Sequence, residues 1–171
     1  NAYSHAVLKR ETPVVGLISI GTEDCKGNEM TKETFPLLKD VAGIDFRGNV
    51  EGHDIFHGQT DVIVCDGFVG NVILKMYEGV AGALLKEIKG AMMTNFKTKI
   101  GAGLMKKELK QTLKKFSHEE YGGAPMLGLK ALVMKTHGNS KSPEIRNTIL
   151  QCRTFVEADI SGTIDENINP D

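Results

Sequence analysis

A chain of 171 residues is long enough for one ordinary domain with a sizeable core. Its 40% apolar and 25% charged residues fit a globular protein, and a net charge of −1 points to neither an acidic nor a basic partner for the chain as a whole. Three widely spaced cysteines (Cys25, Cys65, Cys152) exclude a disulfide framework or a zinc motif and favour a reducing cytosol; no 18-residue apolar run is present, so no membrane span is expected.

Taken in order, Ala2 to Arg10 reads as a helix; a start inside a helix and without Met suggests a piece of something longer. Val14 to Ile20, after Pro13, is a β-rich apolar run and reads as a strand. The polar loop GTEDCKGNE follows, then a helix from Glu29 to Val41 that Pro36 should kink or restart. Ile44 to Phe46 is a short strand, and GNVEGHDIFHG a loop with one helical turn. Asp61 to Cys65 is the next strand. It runs through Asp66, Gly67 and Gly70 into an amphipathic helix with Val72, Ile73, Met76, Val80, Leu84, Leu85 and Ile88 inward. After a break at Gly101 and Gly103, a second helix from Leu104 to Phe116 turns Leu104, Met105, Leu109, Leu113 and Phe116 inward. Leu129 to Met134 reads as a strand and HGNS as a loop. Ser142-Pro143-Glu144 starts a helix with Ser142 as its cap, and 161–171 read as a frayed polar tail. Cys65 and Cys152 read as small core residues.

Alternating strands and helices predict an α/β fold with a mostly parallel sheet and helices on both faces. Ligands of such sheets gather beyond the carboxyl ends of the strands, where GTEDCKGN, DGFVGN and HGNS emerge. A strand, a Gly-bearing turn and a helix start at Asp66 to Asn71 suit a phosphate or a carbonyl oxygen, because free N–H groups point there. On the residues alone, Lys26 reads equally as a solvated loop lysine or as a phosphate ligand. Asn71 reads as a helix cap, as a donor to a carbonyl oxygen, or as both. Asp66 reads more as a brace of its turn than as a ligand, and a lone histidine such as His137 is more often structural. Between Lys86 and Lys115 nine lysines face Glu87 and Glu108, a local charge of +7 that leaves −8 for the remainder. This basic segment reads as a lipid-facing hairpin, a dock for an acidic protein, or a solvated face over a dimer core. A single Phe near its middle argues against nucleic acid.

Four strings in one register, VGLISIGTEDCKGNEMTKETFPLLK, DFRGNVEGHDIF, DVIVCDGFVGNVILK and EYGGAPMLGLKALVMKTHGNS, closely resemble the phosphate acyltransferases of bacterial phospholipid synthesis (the PlsX family). The likeness runs from about Ala2 to Val156 and departs from the family pattern at His53, where Arg is common, and at Asn139 in HGNS. It implies a fold similar to the isocitrate/isopropylmalate dehydrogenase class with a projecting basic amphipathic hairpin within 72–116. Residues 1–160 would then be the C-terminal part of a longer α/β domain. It implies an enzyme that converts acyl-ACP and inorganic phosphate to acyl-phosphate and free acyl carrier protein. That enzyme would be a cytoplasmic homodimer in peripheral contact with an anionic membrane, using no cofactor and no metal. Carried onto this chain, Lys26 and Asn71 become the catalytic pair. Gly21, Gly27, Asn28, Asp66, Gly67, Gly70, His137 and Gly138 become substrate-binding residues, with His137 a proton donor to the leaving thiolate. Lys97, Lys99, Ile100, Leu104, Met105, Lys106 and Lys107 become the membrane or carrier-protein contact. A phosphotransacetylase-like transfer from CoA is the nearest alternative, a non-catalytic docking module the next, and a dehydrogenase a weak third.

Overall fold

In the computed structural model, residues 2–114 and 122–168 are described. The expected inward Phe116, and Lys115 and Tyr121 beside it, lie outside them. The chain divides into two compact units at the Leu74–Lys75 boundary.

The first unit is built on β1 (Val14–Ser19), flanked in parallel by β2 (Asp45–Glu51) and β3 (Val62–Val64) in the order β2-β1-β3. A central parallel strand is covered on both faces, so it carries a continuous rather than an alternating apolar run. Val15, Leu17 and Ile18 are accordingly buried, with Leu17 at 2% exposure. Helix α1 (Ala2–Leu8) precedes the sheet, and α2 (Glu29–Asp40) lies on β1 and β2. From α2 the buried Phe35 meets Phe46 edge-to-face with ring centroids 5.3 Å apart. Pro36 sits inside α2, which continues through it.

The short strand expected at Ile44 to Phe46 is twice as long. Gly48-Asn49-Val50-Glu51, read as loop from its Gly and Asn, completes β2. The register explains it: Val15 pairs with Phe46 and Gly16 with Gly48, so Arg47 is an extra residue in a bulge. Gly48 takes φ +104, a conformation that L side chains rarely adopt, and the strand then resumes with Val50 buried. At the other end of the sheet Asp61 ties β3 to β1. Its N–H donates to the Val14 carbonyl at 2.8 Å, and its Oδ2 accepts from the Val14 N–H at 3.0 Å.

Helix α3 (Gly67–Met92) begins in this unit and continues into the second. Its 26 residues make it long and apolar enough, by length and composition, to cross a membrane. None of them is buried, so the expected inward face is exposed, Met76 at 63% and Val80 at 60%. Periodicity marks an apolar stripe; it does not supply what covers the stripe. Helix α4 (Phe96–Lys114) starts earlier than Gly101 and Gly103 suggested, because Asn95 caps it: its Oδ1 accepts the Thr98 N–H at 3.0 Å while Thr98 Oγ1 accepts the Asn95 N–H. Both glycines lie within the helix.

Strands β4 (Ala124–Pro125) and β5 (Met134–Lys135) form a two-stranded antiparallel ladder. Of the strand expected at Leu129 to Met134 only Met134 lies in β5, with one further bond beyond the ladder, Met126 N–H to the Val133 carbonyl at 2.8 Å. In α5 (Ser142–Glu157) the cap is Lys141 rather than Ser142, its N–H donating to the Glu144 carboxylate. Along it Phe155 is buried, whereas Ile149 and Val156 are exposed. Helix α6 (Ile160–Ile168) occupies most of the stretch read as a tail, and its first residue, Ile160, is fully buried.

A Cβ added at Gly16 would stand 2.3 Å from Val50 Cγ2, whereas one at Gly52 meets nothing within 4 Å. Gly16→Ala is therefore expected to lower stability by about 1–3 kcal/mol in urea unfolding. Gly52→Ala should be neutral or slightly stabilising by the same measurement.

Candidate active site at the carboxyl ends of the parallel strands

The loops that leave β1, β2 and β3 emerge at one end of the sheet, because the three strands are parallel. The loop after β1 is held from several sides. The Lys26 N–H donates to the Glu23 carbonyl at 3.0 Å, and the buried Asn49 of β2 donates to the same carbonyl through Nδ2 at 2.7 Å. Gly21 is buried, and a Cβ there would stand 2.8 Å from Lys26 Cγ, so the lysine stem folds back across it. Gly27 takes φ +115, and a Cβ would fall 2.0 Å from Thr31 Oγ1. That turn delivers Asn28 to the start of α2, where Oδ1 accepts from the Thr31 N–H at 2.9 Å. Asn28 therefore works as a cap. Lys26 itself is exposed at the end of β1.

The loop after β3 corrects one expectation. Gly67 to Gly70 are the first turn of α3 rather than a turn before it, so Asn71 does not open the helix. The cap is Asp66, whose Oδ1 accepts the Phe68 N–H at 2.8 Å and the Val69 N–H at 3.1 Å, while its carbonyl accepts from Gly70. Two of the amides expected to face an anion thus already face a carboxylate, which is why Asp66 braces the turn. Asn71 sits one turn further along and is exposed. Cys65, expected in the core, is exposed too; its Sγ lies where a Gly70 Cβ would come within 2.8 Å. Partial burial and then the Asp66 charge push its thiol up.

Sequence reasoning missed the residues after the β2 bulge. Thr22, Arg47, Asn49, Val50, Asp54, Gln59 and Thr60 line a cavity of about 240 Å³. Arg47 Nη1 donates to the Gln59 carbonyl. Asn49 is 8% exposed, and its Oδ1 has no hydrogen-bond partner among the described residues. Asp54 starts the one helical turn that was expected here (Asp54–Phe56). Desolvation raises its pKa, but the Glu51 N–H, the His57 side chain and the charges of His53 and His57 together hold it below the usual carboxylate range. The available signal was DFRGNVEGHD itself, whose glycines read as loop.

His137 and Gly138 belong to the second unit. His137 is exposed and its Nδ1 accepts the Asn139 N–H at 3.3 Å. In the same unit, Met92, Met93, Lys99, Ala102, Gly103, Lys106, Leu109, Lys110 and Leu113 line an apolar groove of about 610 Å³. Of the seven contact residues expected here, only Lys99 and Lys106 line it. Ile100, Leu104 and Met105 are exposed instead, so Leu104 and Met105 do not point inward as expected; Leu109 and Leu113 do line the groove.

Residues 1–162 match the model of a family described as fatty acid synthesis protein. The chain belongs to that family. It is 45% identical over 166 residues to a phosphate acyltransferase of Brevibacillus brevis, an alignment that covers 97% of this chain and 49% of that protein. A phosphate acyltransferase of Lysinibacillus sphaericus is 48% identical over 97% of this chain and 50% of its own length. One of Thermoanaerobacterium thermosaccharolyticum is 46% identical over 98% and 50%. The chain thus spans about half the length of the curated relatives it matches.

Asp66→Ala is expected to cost about 1 kcal/mol by removing the α3 cap, while Asp66→Asn retains most of it. Urea midpoints of the two variants measure the difference.

Proposed function

We propose that this chain is the C-terminal half of an acyl-ACP:phosphate acyltransferase that makes acyl-phosphate for phospholipid synthesis. The observation that carries the reading is the pairing of two loops at the carboxyl ends of adjacent parallel strands. One bears Lys26 on a constrained Gly21–Gly27 turn, and the other bears Asn71 on a helix capped by Asp66. Relatives named phosphate acyltransferase at 45–48% identity support it.

The reaction needs no nucleophilic side chain. A phosphate oxygen attacks the thioester carbonyl carbon, a C–O bond forms, the carbonyl oxygen carries the charge of the tetrahedral intermediate, and the C–S bond breaks to release the thiolate. Lys26 neutralises the phosphate and the developing charge, and the Asn71 amide donates to the oxyanion. Donors set in place before the charge appears account for large rate effects in such steps. A fold of the isocitrate/isopropylmalate dehydrogenase kind agrees with the parallel sheet flanked by helices.

The same reading makes the protein a homodimer that rests on an anionic membrane from the cytoplasmic side. The uncovered apolar length of α3 suits a protein–protein core. On α4, Phe96 at 77% and Leu104 at 79% exposure stand among Lys97, Lys99, Lys106 and Lys107. Exposed apolar side chains within a basic field favour lipid over an acidic carrier protein, which would need the lysines alone.

In a chain extended to the length of its relatives, Lys26→Ala and Asn71→Ala are each expected to slow acyl-phosphate formation from acyl-ACP by about 100-fold or more. Turnover of acyl-CoA but not acyl-ACP would instead identify a phosphotransacetylase-like enzyme, and unchanged turnover in both variants would leave a docking module. Leu104→Glu together with Ile100→Glu should abolish sedimentation with phosphatidylglycerol vesicles; retained sedimentation counts against the lipid contact.

A further inference from the structure

The turn that follows β2 gathers side chains that the acyl-transfer reading does not use. Glu51, His53 and Asp54 each offer a ligand atom within 4.8 Å of one another. Asp54 Oδ1 lies 3.4 Å from His53 Nε2 and 3.2 Å from His57 Nδ1. The two imidazoles stand four residues apart, with ring centroids separated by 6.0 Å. Zinc held by nitrogen and oxygen at about 2.0–2.1 Å in a tetrahedron puts neighbouring donor atoms about 3.3–3.4 Å apart. The His53–Asp54 separation falls at the length of a tetrahedral edge, while the 3.2 Å contact of His57 Nδ1 with the same oxygen is a hydrogen bond.

We propose that Glu51, His53 and Asp54 form a site for a zinc-class divalent transition-metal ion, with His57 positioning the Asp54 carboxylate through its hydrogen bond. Two carboxylates match its charge, and the His53 imidazole beside them favours zinc over magnesium or calcium, which prefer oxygen donors. The carboxylate is already oriented for the task. Asp54 Oδ2 accepts the Glu51 N–H at 3.2 Å and so leaves Oδ1 toward the histidines, the kind of support that ligating carboxylates usually have. Closure of the helical turn, His57 N–H to the Asp54 carbonyl at 2.9 Å, sets the spacing of His57 from Asp54.

A second observation points to the same place. Asp54 also lines the cavity that contains Asn49, whose buried Oδ1 is an acceptor with no donor among the described residues. A water on a bound cation is a strong donor, and a cavity of about 240 Å³ lined by Thr22, Arg47, Asn49 and Asp54 among others has room for one. The site does not rest on the proposed acyl transfer, and its test reads binding rather than turnover.

Titration of the chain with Zn²⁺ in calorimetry should show one equivalent bound at micromolar metal. His53→Ala and His57→Ala should each weaken it about tenfold or more, and His5→Ala should leave it unchanged. Co²⁺ in place of Zn²⁺ should give the visible absorption of a four-coordinate complex, with solvent in the fourth position, which His53→Ala abolishes. The exposed histidines can be replaced without touching the core, and circular dichroism verifies that the variants fold. No binding at micromolar metal overturns the proposal. So does binding that both histidine variants retain, or binding that is lost in a Cys25→Ser, Cys65→Ser, Cys152→Ser triple variant.

Discussion

The hydrogen bond from Asn49 Nδ2 to the Glu23 carbonyl is the constraint on which the rest of the site depends. It crosses from β2 to the loop after β1 and is made by a side chain removed from water. A neutral hydrogen bond contributes only about 1 kcal/mol net, but leaving a buried amide unpaired costs about 1–3 kcal/mol. The loop is thus held less by the bond's strength than by the penalty of breaking it. The Glu23 carbonyl that it anchors also accepts the Lys26 N–H, so the backbone that carries the lysine is tied to the sheet. The bulge at Arg47 makes this possible: the extra residue shifts the register by which Asn49 comes to lie opposite Leu17.

Helix caps then divide the polar residues of the two loops into structural and chemical groups. Asn28 and Asp66 spend their oxygens on the first turns of α2 and α3. Lys26 and Asn71 stand beyond those caps and are exposed. This division agrees with the acyl transfer proposed above, which asks the loops for positive charge and donors rather than for a nucleophilic side chain.

The second unit poses a different physical problem. Its helices bury little of their apolar surface among the described residues, with Phe155 and Ile160 the buried hydrophobic exceptions. Helix α4 carries two stripes: Leu109 and Leu113 line the groove, while Phe96, Ile100 and Leu104 face outward. Apolar area on both sides of one helix favours contact with something other than water, because each exposed side chain forgoes about 25 cal/mol per Å² of burial.

Some features were legible in the residues because their causes are local. The apolar run from Val14 shows its strand directly, although Ile20 at its end lies outside β1 and is exposed, and the lysines of α4 declare their charge by composition. The helical turn at HDIF and the brace formed by Asp66 follow from short-range hydrogen bonding, which a sequence displays directly. What the sequence did not display depends on contacts between distant segments. Gly48-Asn49-Val50-Glu51 carries loop-forming residues and becomes strand only because β1 lies alongside to pair with it. Leu129 to Val133 has strand-like residues, yet the antiparallel ladder takes in only Met134 and Lys135. Ser161 onward looks polar, yet burial of Ile160 accompanies a helix there. The cluster of His53, Asp54 and His57 was visible as letters, but only folding turned Asp54 Oδ1 toward both rings. Local propensity and composition were set by the chain itself; register, burial and the convergence of side chains were decided by which segments the fold brought together.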